Sequence, residues 1–206
     1  MTDLTSAARA LGVAAFAITA ASCATDDMAM SEPMDDMDAA SVDLLANGLD
    51  GFDEVGGANW TYADSVLEAS SGDGVGFLFT PDAYDDFEIA MEFYVSEEHN
   101  SGVYFRCSDM DNISDSSCYE ANIFDDRPDQ SGRTGAVPNY LPPIEIVDSA
   151  GQWNTYVVRA EGDRITITLN GVTTVDGQDP THASGPIGLQ WGAGVVRFRN
   201  VTLTPL

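Results

Sequence analysis

The run Phe87-Glu88-Ile89-Ala90-Met91-Glu92-Phe93-Tyr94-Val95 carries an apolar side chain at every odd position, with Glu88, Ala90, Glu92 and Tyr94 between them. A period of two sends successive side chains to opposite faces of an extended backbone, so this is a β-strand with one face in a core. The pattern continues downstream. Beyond a turn at residues 97–101, Val103 and Phe105 take the core face while Tyr104 and Arg106 take the other. Tyr119-Glu120-Ala121-Asn122-Ile123-Phe124 then alternates again, with Glu120 and Asn122 off the core. Tyr156 to Ala160, Arg164 to Leu169, Val172 to Val175, Ile187 to Trp191 and Val195 to Leu203 give further strands, and Asn170-Gly171 is a hairpin turn signal. Helical periodicity is almost missing, and Gly, Pro, Asn and Asp punctuate the runs. The chain from residue 42 is therefore expected to be all-β, a sandwich or barrel.

The N-terminal segment has a different character. Arg9 precedes an apolar run from Ala10 to Ala21, about as long as the apolar part of a signal peptide and too short to span a bilayer. It closes on Ala20-Ala21-Ser22-Cys23, which resembles the bacterial lipobox, where the cysteine sulfur is lipidated. Residues 1–23 are expected to be a lipoprotein signal segment with Cys23 as the lipidation site. Residues 24–41, acidic and rich in Met, cannot bury enough apolar surface to fold and read as a tether; residues 42–206 form the β-domain. Ala24 lacks the Asp that would favour inner-membrane retention. The expectation is an exported envelope protein anchored at the outer membrane, facing the periplasm or the outside, with the lipid as its sole membrane contact.

The net charge is −26, and the eight basic residues are all Arg. A field of that sign repels nucleic acid and anionic lipid surfaces, and it suits a protein kept hydrated in a salty medium. With Cys23 set aside, Cys107 and Cys118 remain, one closing a strand and one preceding the next. They are expected to form a disulfide that pins the loop between them. Asp109, Asp111, Asn112 and Asp115 in that loop lack the glycine turn of a calcium loop, and His99 and His182 lie in no ligand-spaced motif. Neither a metal nor another cofactor is expected, and the sequence leaves the oligomeric state open.

Alternation places Glu88, Glu92, Tyr104, Arg106, Glu120 and Asn122 on non-core faces of consecutive strands. If those strands are neighbours in one sheet, the six form a single polar surface in which carboxylates flank an arginine. The other reading of the same pattern is a solvated face whose Glu and Arg merely pair across strands. Trp153, Trp191 and Tyr140 are candidates for stacking on sugar rings, with Trp153 expected in the core.

The order of motifs resembles the 3-keto-disaccharide hydrolase domain family, formerly a domain of unknown function. The resemblance runs from Asn47-Gly48-Leu49-Asp50-Gly51-Phe52 through Asp86-Phe87-Glu88 with Glu92-Phe93, then Asn100-Ser101-Gly102-Val103-Tyr104-Phe105-Arg106, then Tyr119-Glu120 with Ile123 and Asp125. Thr134-Gly135-Ala136, Gly151-Gln152-Trp153-Asn154, Leu169-Asn170-Gly171, Gly185-Pro186-Ile187-Gly188-Leu189-Gln190 and Phe198-Arg199-Asn200 complete it. The sequence departs most between Asp126 and Pro143.

The resemblance implies a concanavalin-like antiparallel β-sandwich (jelly roll) with a carbohydrate site on a concave face. It also implies action on an oxidised disaccharide or glycoside. A ketone at C3 acidifies the C2 hydrogen, a base removes it, the C1 substituent leaves by elimination and water adds back. In that reading Glu120 is the base and Arg106 polarises a substrate oxygen. Glu92 is the acid or orients Arg106, while Tyr104, Asn122 and Glu88 bind substrate. The alternative function is a glycan-binding envelope lipoprotein that cleaves nothing, because this sandwich also serves binding modules.

Overall fold

The computed structural model describes residues 40–206. The expected signal segment with Cys23 and nearly all of the expected tether lie outside the described residues. Eleven strands follow one another with two short 3₁₀ turns between them. They are β1 (Val42–Asp43), β2 (Asp53–Ala63), β3 (Val66–Tyr84), β4 (Phe87–Val95), β5 (Asn100–Phe105) and β6 (Tyr119–Ile123), then β7 (Trp153–Glu161), β8 (Arg164–Leu169), β9 (Val172–Gln178), β10 (Gly185–Ala193) and β11 (Val196–Pro205). Among the described residues no helix is long and apolar enough to cross a membrane.

The strands hydrogen-bond in the order β6-β5-β10-β3-β11-β4-β7-β8-β9, and every pairing is antiparallel. The long strand β3 makes the corner. Its start, Leu67 to Ala69, pairs with β11, whereas Gly76 to Tyr84 pairs with β10. The sheet thereby curls into two layers, one built on β6-β5-β10-β3 and the other on β11-β4-β7-β8-β9, with β2 beside β3.

Both layers contribute to one core. Val103, Phe105, Ala121, Ile123 and Leu189 from the first meet Ile89, Phe93, Tyr156, Ile165 and Ile167 from the second, all fully or almost fully buried. Phe87 and Phe105 touch edge to face at 5.7 Å between ring centres, and the Tyr156 hydroxyl donates to the Asn122 carbonyl at 3.2 Å. The odd residues of the opening stretch are thus the inner face of β4, as their period demands.

A smaller apolar cluster lies on the outer face of the first layer. Phe77, Phe79 and Tyr104 pack together there with the disulfide between Cys107 and Cys118, which pairs as expected with Cα atoms 4.1 Å apart. The neighbour order also corrects the single polar surface. Glu88 and Glu92 on β4 are separated from Tyr104 and Glu120 by β10, β3 and β11, and they point outward from the opposite layer. Alternation assigns a face within a strand but is blind to which layer that strand joins.

Candidate functional site

Register builds the site on the outer face of the first layer. Phe79, Gly188, Tyr104 and Glu120 stand in one row across β3, β10, β5 and β6, and Phe77, Gln190, Gly102 and Asn122 stand in the next. Two glycines within these rows clear a floor. A Cβ on Gly102 would sit 2.5 Å from Glu120 Oε1, so the Glu120 side chain lies across the space that residue 102 leaves empty. Above this floor opens a cavity of about 410 Å³, with Tyr104, Glu120 and Gln190 below and Asp115, Phe124 and Arg127 among its walls.

Glu120 is 4% exposed. Burial pushes its carboxyl up to about 8; Arg127 opposes the shift, Asp115 adds to it, and the neighbouring Tyr104 hydroxyl opposes it. A carboxyl in that range is a stronger base than an ordinary glutamate and still exchanges protons near neutrality. Tyr104 is pushed far up by burial and then by Glu120, so it keeps its proton. Its oxygen accepts a hydrogen bond from Gln190 Nε2 at 3.3 Å.

The cation in this cavity is Arg127. It pairs with Asp115 at 3.3 Å, joining the loop after β6 to the loop that the disulfide closes. Gly132 leaves room for it, since a Cβ there would stand 2.9 Å from Arg127 Nε, and Gln130 Nε2 donates to the Arg127 carbonyl.

Arg106 is elsewhere. Its backbone turns left-handed at φ 52°, which ends β5 at Phe105 and breaks the alternation one residue early. The guanidinium is buried at the rim of the sandwich, donating to the carbonyls of Asp85, Gly162 and His182 and to Asp86 Oδ1. It fastens three loops and does not line the cavity. Asn122 belongs to the right row but is fully covered by the loop that follows β6. Its Nδ2 donates to the Gly132 carbonyl, and its main chain pairs with Gly135 and Ala136.

The remaining candidates are on the second layer. Glu92 accepts from Arg199 and Asn200, and the Arg199 hydrogen bond holds its carboxyl below the ordinary range; Arg199 stacks on Trp153 at 4.0 Å. Glu88 pairs with Arg159 at 3.4 Å. For these two carboxylates, cross-strand pairing on a solvated face is what the structure contains. Trp153, expected in the core, is partly exposed beneath Arg199, whereas Trp191 joins the core and Tyr140 packs on Tyr119 and His182.

Asp125 cross-links the long segment between β6 and β7. Its carboxylate accepts from the Thr134 hydroxyl, from the Ser149 amide at 2.7 Å and hydroxyl at 2.9 Å, and from the Ala150 amide at 3.0 Å. Burial raises its carboxyl, and these four donors outweigh the burial and bring it below the ordinary value. The Asp125 amide donates to His99 Nε2 at 3.2 Å while His99 Nδ1 faces the Ser96 carbonyl at 2.8 Å, so His99 is held on both nitrogens.

Residues 42–204 match the profile of the 3-keto-alpha-glucoside-1,2-lyase-like domain. The chain belongs to this family. Within the 3-keto-alpha-glucoside-1,2-lyase-like domain, the matched segment contains every residue of the cavity just described. Two solved structures from Parabacteroides distasonis ATCC 8503, each provisionally named a glycosyl hydrolase, share the fold. One has 24% identity over 81% of this chain and 100% of its own, with a TM-score of 0.66; the other has 18% identity over 71% and 83%, with a TM-score of 0.64. The carbohydrate-binding module CBM66 from Bacillus subtilis superposes with a TM-score of 0.57 at 22% identity, covering 75% of this chain and 95% of the module. No curated protein matches this lyase-like chain.

Proposed function

We propose that this chain cleaves 3-keto-glycosides by removing the C2 proton and expelling the C1 substituent. The carrying observation is Glu120, a buried carboxyl raised to about 8 on the floor of a cavity whose wall holds Arg127. Glu120 is the base. The C2–H electron pair flows onto the C3 carbonyl oxygen as an enolate, and Arg127 supplies positive charge to that oxygen. Collapse of the enolate breaks the C1–O bond. The alcohol leaves with a proton, for which Glu120, protonated in the first step, is the available acid. Water then adds across the new double bond, so the sum is hydrolysis. Family membership supports the substrate class. Arg127 takes the part expected of Arg106, and no part is left for Glu92.

The test is release of p-nitrophenol from the α- and β-anomers of p-nitrophenyl 3-keto-glucoside by residues 42–206, with Glu120→Gln alongside. Turnover by the native domain and loss of about 1,000-fold or more in Glu120→Gln are expected. Full activity in Glu120→Gln would remove the mechanism. Binding without turnover by the native domain would instead make this a glycan-binding protein.

We also propose export and lipid attachment at Cys23. The pairing of Cys107 with Cys118 supports an oxidising compartment. Incorporation of labelled fatty acid by the full chain, lost in Cys23→Ala, is the expected result.

A further inference from the structure

One end of the Gln190 amide is unused. The side chain lies on the cavity floor, 5% exposed; Nε2 donates to Tyr104, and Oε1 is buried with no hydrogen-bond partner. Among the described residues the other buried side-chain atoms in this condition are Trp60 Nε1 and Arg133 Nε, and neither residue lines this cavity. The sheet itself offers Oε1 nothing. Across from Gln190 stand Gly102, which has no side chain, and Phe77, which has no donor.

The direction of the amide follows from its neighbours. Gln190 Nε2 donates to the Tyr104 oxygen, so Oε1 is the end left without a partner on a side chain that lines the cavity. A buried acceptor without a partner is costly, and the cost disappears when a ligand brings a donor. Sugar hydroxyls are such donors.

We propose that Gln190 is a specificity-determining residue, accepting a hydrogen bond from one hydroxyl of the sugar ring seated over Glu120. The inference rests on the carbohydrate reading of this cavity and adds which atom reads the sugar. Sites built around a hydrogen bond reject the analogue lacking it far more strongly than apolar pockets reject a missing methylene.

The test compares p-nitrophenyl 3-keto-glucoside with its 2-, 4- and 6-deoxy analogues. Native protein should lose about 10- to 100-fold in kcat/KM on removal of one of these hydroxyls. Gln190→Met should lower activity on the parent compound and erase the preference at that position alone. Because this change removes an unpaired buried acceptor, the variant should melt no lower than the native protein. Tyr104→Phe, which frees the amide to turn, should weaken the preference without abolishing it. An unchanged preference in Gln190→Met overturns the inference, as does native protein indifferent to all three deletions. Binding to the same four compounds, followed by calorimetry in Glu120→Gln, separates this result from the mechanism. Native protein that turns over the parent compound and is indifferent to all three deletions sinks only the inference, whereas failure of the protein to bind any of the four sinks both.

Discussion

Glu120 occupies the space above Gly102, and a Cβ at residue 102 would come within 2.5 Å of its Oε1 and 2.9 Å of its Cγ. Gly102 is not in a left-handed conformation, so alanine meets no backbone strain there. Gly102→Ala should fold normally while pushing the carboxylate aside. A displacement of about 1 Å at a reacting group costs on the order of 100-fold in rate. The expected result is a kcat lowered by about that factor with a melting temperature within a few degrees of native, measured on one preparation.

The pH profile should follow Glu120. As base it must be ionised, so kcat/KM rises with pH through about 8 and levels above it. Arg127 holds that value down, hence Arg127→Ala should move the midpoint to higher pH as well as lowering the plateau. Asp115 holds it up, so Asp115→Asn should move the midpoint to lower pH. Shifts in the same direction for both variants would contradict this electrostatic arrangement.

Stability should carry the same signature. The folded-state value of Glu120, about 8, lies above the ordinary 4.5, so the fold binds the proton more tightly than the unfolded chain does. This residue then destabilises the protein progressively between those two pH values, by on the order of 5 kcal/mol at the alkaline end. Glu120→Gln should unfold at higher denaturant than native protein at pH 9 and differ little near pH 4.

Asp125 acts with the opposite sign. Its carboxyl lies below the ordinary value of 3.8, so its stabilisation is present above that value and is lost as pH falls through the lower folded-state one. Asp125→Ala removes the acceptor for four donors and should cost about 3 kcal/mol or more at neutral pH. Urea unfolding measures this, and a cost that persists undiminished at strongly acid pH would contradict it.

Arg106 should behave as a fastener. Arg106→Met removes the side-chain donor from three carbonyls and leaves Asp86 Oδ1 only the Gly162 amide, and about 3–5 kcal/mol of lost stability is expected. Arg106→Lys should recover only part of this, because one ammonium cannot span acceptors arranged around a planar guanidinium. Whatever activity survives should keep the native pH midpoint.

The strands and the shared core were legible because period-two alternation is written residue by residue from Phe87 to Val95 and again from Tyr119 to Ile123. Glu120 and Tyr104 were found the same way, and Cys107 with Cys118 followed from counting. Three features escaped for separate physical reasons. The left-handed turn at Arg106 carries no glycine to announce it. The layer containing Glu88 and Glu92 is decided by pairings more than 100 residues away in sequence, such as that of Glu92 with Arg199. Arg127 sits in an irregular loop with no period to read, and Gly132, whose missing side chain makes room for it, was the faint signal available. Gln190 closes the Gly185-to-Gln190 motif, but nothing in the sequence says that its amide lacks a partner.

The disulfide sits with Phe77, Phe79 and Tyr104, apart from the main core, and it tethers the loop bearing Asp115. Fold and cavity therefore depend differently on oxidation. Material made in a reducing cytosol would retain the sandwich and an ordinary circular dichroism spectrum, though it would melt lower for want of the about 2–4 kcal/mol that a disulfide contributes, and the loop opposite Arg127 would lose its staple. A blank kinetic trace from such a sample would record the history of the preparation rather than the chemistry of the protein.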